Sequence, residues 1–168
     1  MLSNQSDQDR CAWVPFARTL VDKGFRVALW DYGDGPPQAE LAGVVGAVRD
    51  AGAGRVILLG ASKGAKTSLV AARQLGSAVA GVVSLSAEAE LAPSTDVASA
   101  SAGLTVPVLL VTADADPYGS AEALEGIRRG VADARVVRVA GAVHGTLLLD
   151  NAAVSAEILA FLGGLAGR

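Results

Sequence analysis

The chain has 168 residues, 51% of them apolar, a net charge of −3, one histidine and one cysteine. That length fits one domain, residues 1–168, with a single core. The charge balance offers no basic face for nucleic acid, and no apolar run approaches the ~18 residues of a membrane span. Cys11 alone cannot form an internal disulfide, and one histidine with one cysteine excludes a multi-histidine or thiolate metal site. The first residues, from Met1 to Asp9, are polar and acidic, unlike a signal peptide. The expectation is a cytoplasmic protein with neither nucleic-acid nor membrane partners.

Trp13, Phe16, Ala17, Leu20 and Val21 recur at helical spacing and predict a helix over 12–23, stopped by Gly24. Residues 25–30 read as a short buried strand, closed by a turn rich in Asp, Gly and Pro. Leu41, Val44, Val45 and Val48 restore the helical period, and Gly52 and Gly54 end it. A continuous apolar strand over 55–59 then runs straight into Gly60-Ala-Ser62-Lys63-Gly64 and a helix reaching about Leu75. Strands are expected over 79–85 and 106–112, a helix over 121–130 and a strand over 135–139. A last helix to about Leu162 is expected with Asp150 as its N-cap. The Ala/Ser-rich segment 92–103 reads as a surface loop or frayed helix. Apolar strands alternating with helices imply the α/β class, a mostly parallel sheet with helices on both faces.

The chemistry gathers at the carboxyl ends of these strands, where α/β sheets place their sites. Gly60-x-Ser62-x-Gly64 falls at a strand-to-helix turn, where a tight bend lifts the serine hydroxyl above the sheet. The following helix directs its N-terminus at the same point, which favours a developing oxyanion. The strand over 106–112 is followed by Asp114 and Asp116, and the strand over 135–139 by His144, the sole histidine, next to Gly145. The order is serine, acid, histidine, the components of a catalytic triad.

From Trp13 to Leu162 the chain resembles the α/β-hydrolase fold family. The resemblance rests on the elbow at 60–64, the acid turn at 112–117, the histidine turn at 141–145, and the segment 27–35, similar to the family's fourth strand and its glycine turn. It implies Ser62 as nucleophile, His144 as base and Asp116, rather than Asp114, as orienting acid. The 54 positions between Ser62 and Asp116 leave no room for a large cap, so the chain looks like the lidless members, the dienelactone hydrolases and small carboxylesterases. Its serine nucleophile points to the esterases. The resemblance places one oxyanion donor on the N–H of Lys63 and the other on the N–H of Ser6, where the family's His-Gly turn is replaced by Asn4-Gln5. The family's central third strand is nearly absent. We therefore expect N-terminal strands that are missing or very short, upstream residues in the natural protein, and homo-oligomers formed through open strand edges.

The expected function is hydrolysis of a small-molecule carboxylic ester or thioester through an acyl-serine, with no cofactor and no metal. Two alternatives stand beside it. Residues 60–67 miss the phosphate-loop pattern only by Ala65 in place of glycine, which would suit a nucleotide-binding protein. A hydrolase fold can also serve as an inactive binding module.

Overall fold

The computed structural model describes residues 1–91 and 94–166. The chain runs β1 (Leu2–Ser3), a 3-10 turn (Arg10–Trp13) leading into α1 (Val14–Asp22), α2 (Pro37–Asp50), β2 (Val56–Ala61), α3 (Lys63–Leu75) and β3 (Val79–Leu85). A small antiparallel ribbon of β4 (Glu90–Leu91) and β5 (Thr95–Asp96) follows, then α4 (Val97–Ser101), β6 (Val108–Ala113), α5 (Ser120–Gly130), β7 (Ala134–Val139), a 3-10 turn (Gly145–Asp150) and α6 (Ala152–Ala166). Five strands form one parallel sheet in the order β1-β2-β3-β6-β7. Among the described residues no helix is long and apolar enough to cross a membrane.

The period of two along a strand sorts neighbouring side chains to opposite faces, and both faces are covered. Leu58, Val82 and Leu110 share one core with Leu41 and Val45 of α2, Leu69 of α3 and Ile127 of α5. Leu59, Val83 and Leu109 share the other with Trp13, Phe16 and Leu20 beside α1 and with Ile158 and Leu162 of α6. This is why β2, β3 and β6 read as uninterrupted apolar runs.

Three sequence expectations are corrected. Residues 25–30 are extended but not a strand: β1 offers them only two residues, and the contact is a single bridge between Leu2 and Leu29. The last helix is capped by Asn151, whose side chain accepts from the N–H of Ala153 at 2.9 Å, because Asp150 belongs to the preceding 3-10 turn. Within 92–103, residues 92 and 93 lie outside the described residues. The rest folds into β5 and α4, with Asp96 capping Ser99 N–H at 2.8 Å and Val97 fully buried.

At the β1 edge, Met1 and Leu2 sit between two backbones. Leu59 N–H donates to Met1 O and Leu2 N–H to Ala28 O, each at 3.0 Å. Beside Met1 the facing segments flank a cavity of about 410 Å³ open to solvent, lined by Phe25, Val27, Val48 and Ile57 among others. On its other side β1 meets α3. A methyl group on Gly64 would collide with the backbone of Ser3 and Asn4, and one on Gly60 with the peptide of Gly64. Both glycines therefore serve close backbone approach.

Two outcomes test this packing. Gly60→Ala and Gly64→Ala should each destabilise the fold by about 1–3 kcal/mol or more, because backbone has to move. Gly43→Ala, in open space on α2, should stabilise by about 0.5–1 kcal/mol; urea midpoints compare the three. The second outcome concerns the Met1 amino group, which donates to Ile57 O at 3.0 Å and whose burial lowers its pKa from 8.0 to about 6. Between those values the unfolded chain binds the extra proton, so stability is full above pH 8 and falls as pH drops toward 6, by about 3 kcal/mol at most. Melting of the free-amino and N-acetylated chains should diverge on acidification from pH 8 to 6. Parallel curves would contradict the buried amine.

Candidate active site

Ser62 stands between the end of β2 and the first residue of α3 with φ 49° and ψ −113°. A side chain in the left-handed region costs about 1–3 kcal/mol and persists only where its surroundings impose it. Here Ser62 N–H donates to Leu85 O at 2.8 Å and Ser62 O accepts from Lys66 N–H at 3.1 Å, fixing the bend from both sides. Lys63 is the first helical residue, so its N–H belongs to the helix-start donors that no intrahelical carbonyl satisfies.

Asp116 follows β6, and its side chain is wholly shielded from solvent. His144 precedes the 3-10 turn after β7, and its Nδ1 lies 2.8 Å from Asp116 Oδ2 and 3.0 Å from Oδ1. A proton on Nδ1 donates to the carboxylate and leaves Nε2 free as an acceptor. Burial pushes the Asp116 pKa up, but hydrogen bonds from Tyr118 N–H, His144, Ser120 and Ser86 outweigh it and hold the group below its ordinary value. Asp116 is therefore a carboxylate at neutral pH. Asp114 is turned away, exposed and paired with Arg138 at 2.8 Å. The histidine loop is anchored by Gly145 N–H to Ser86 Oγ at 3.0 Å and by Thr146 N–H to Gln5 Oε1 at 3.1 Å. Tyr118 packs beside the imidazole, with ring centroids 4.5 Å apart.

Ser62 and His144 do not meet directly; a carboxylate stands between them. Ser62 Oγ donates to Glu88 Oε1 at 2.7 Å, and His144 Nε2 lies 3.5 Å from that same oxygen. The other oxygen, Oε2, is ion-paired with Lys66, whose side chain is only 11% exposed. Sequence reasoning missed Glu88 and Ser86, and it weighed Lys66 only as part of a phosphate loop. The available signal was position: Ser86 and Glu88 directly follow β3, at the same sheet end as the elbow on β2. Ser86 also has φ 55°, which no side-chain pattern announces.

The two expected oxyanion donors fare differently. Lys63 N–H lies at the elbow itself, while its ammonium is diverted 3.9 Å over the Tyr32 ring. Ser6 occupies an exposed turn after β1, and among the described residues its N–H has no hydrogen-bond partner. Asn4, just before it, carries a buried Oδ1 without a partner. The cavity at the β1 edge is lined by none of Ser62, Asp116 or His144. In the segment 60–67 that resembles a phosphate loop, Lys66 is ion-paired with Glu88 and the Gly64 backbone lies against Ser3 and Asn4.

The family described as TAP-like protein matches residues 87–165, just under half of the chain, a stretch holding Glu88, Asp116 and His144. No curated protein matches the chain by sequence. Among solved structures, a monoacylglycerol lipase from Paleococcus ferrophilus superposes with a TM-score of 0.79 at 14% identity, over 99% of this chain and 93% of that one. An enol-lactonase from Burkholderia xenovorans gives 0.80 at 18% identity, over 96% and 90%. A thermophilic esterase from Thermogutta terrifontis gives 0.72 at 16%, over 98% and 89%. With its parallel sheet, its elbow at Ser62 and these likenesses, the chain is an α/β-hydrolase in fold.

Proposed function

We propose that this protein is a serine hydrolase that cleaves carboxylic esters or thioesters through an acyl-serine intermediate. The observation that carries the reading is the part-buried His144–Asp116 pair on the same sheet end as a serine held at positive φ. The similar structures described as lipase, esterase and lactonase support it. In this reading Glu88 gives way to substrate and His144 Nε2 takes the Ser62 proton as Oγ attacks the carbonyl carbon. Asp116 stabilises the imidazolium, and N–H groups of Lys63 and the Ser6 region hold the oxyanion. The imidazolium protonates the leaving group. Water, deprotonated by His144, then releases the acid and restores Ser62. These steps call on no cofactor.

The inactive-module reading draws on one observation, the carboxylate lodged between Ser62 and His144. Hydrolysis of p-nitrophenyl acetate separates the two. Ser62→Ala and His144→Ala should each remove most of the rate, and the double variant should be little worse than either, since triad members act as a unit. Asp116→Asn should cost up to about 10⁴-fold with the fold intact, while Asp114→Asn costs little. Multiplying losses in the double variant, or a wild-type rate no higher than that of Ser62→Ala, would sink the proposal.

A further inference from the structure

We infer that the space bounded by Ser62, Lys66 and His144 is a carboxylate-binding subsite, filled by Glu88 in the closed site and open to the carboxylate of a small acid when Glu88 swings out. The inference rests on the serine-hydrolase reading and adds a ligand class to that site. Two donors hold one carboxylate, the Ser62 hydroxyl at 2.7 Å and the Lys66 ammonium, and His144 Nε2 borders it at 3.5 Å. Lys66 lies one turn along α3 from Ser62, and a cation so shielded from water is costly without an anion beside it. Glu88 belongs to the irregular segment between β3 and β4, so its side chain can leave without disturbing a strand. Leave it must, because a carbonyl attacked by Ser62 occupies the same ground. Its departure strips Lys66 of its partner and creates a site for another anion. Hydrolysis of an ester generates such an anion at Ser62, an acid product with the chemistry of the Glu88 side chain. Glu88 thus acts as a tethered competitor of the product.

The test compares wild type, Glu88→Ala and Glu88→Gln in p-nitrophenyl acetate hydrolysis, with and without sodium butyrate, with melting curves to confirm folding. A site open about a tenth of the time predicts a roughly tenfold gain in kcat/KM for Glu88→Ala. Butyrate should inhibit that variant competitively at concentrations that leave wild type untouched. Glu88→Gln, equal in shape but uncharged, should fall between the two. Loss of activity in both variants, with rescue by butyrate, would make Glu88 a proton acceptor and overturn the subsite. So would unchanged rates with no selective inhibition. If Ser62→Ala retains the wild-type rate in the same assay, the serine-hydrolase reading falls and the subsite with it. If Ser62→Ala is inactive and the Glu88 variants behave as wild type, the subsite alone is lost.

Discussion

Backbone packed on backbone at the elbow is the constraint from which the site follows. Gly64 lies against Ser3 and Asn4, and Gly60 against Gly64, with no room for a side chain at either contact. This brings α3 down onto the end of β2, and Ser62, at the turn between them, takes a strained conformation with φ 49°. The same contact helps hold β1, a strand of only two residues, between β2 and the extended segment ending at Trp30. The two apolar cores on either face supply the rigidity against which that strain is maintained.

Electrostatics then divides the site into two halves. In one, Asp116 is buried yet ionised because its hydrogen bonds outweigh the cost of burial, and it fixes His144 through Nδ1. In the other, Glu88 is balanced by Lys66 and takes the Ser62 proton donor. The imidazole is hydrogen-bonded to Asp116 through Nδ1, and its Nε2 faces Glu88 Oε1 at 3.5 Å. One partner is shielded by protein from every side, and the other stands on a short irregular segment.

Much of this was legible in the sequence, for identifiable reasons. Strands buried on both faces must be apolar throughout, so β2, β3 and β6 announced themselves, and glycine marked the ends of α1 and α2. Asp116 could be preferred to Asp114 by resemblance, and the structure puts Asp116 on His144 and Asp114 on Arg138. Residues 25–30 carry the composition of a strand, but pairing needs a neighbour, and β1, expected to be very short, supplies only two residues. The cap at Asn151 differs from Asp150 by one position, within the reach of a 3-10 turn that periodicity does not resolve. Glu88 was invisible for a different reason. Its partners Ser62 and Lys66 lie 26 and 22 positions away, and a charge becomes a site only when the β2–β3 pairing brings it there.

The central claim is that Ser62 is a nucleophile activated by His144, and covalent capture tests it most directly. A fluorophosphonate probe reacts with an activated serine, and digestion with mass spectrometry locates the adduct. The account predicts one adduct per chain, on Ser62, absent from Ser62→Ala and formed far more slowly in His144→Ala. Stoichiometric labelling of another residue, or a folded chain that takes up no probe at all, would contradict it.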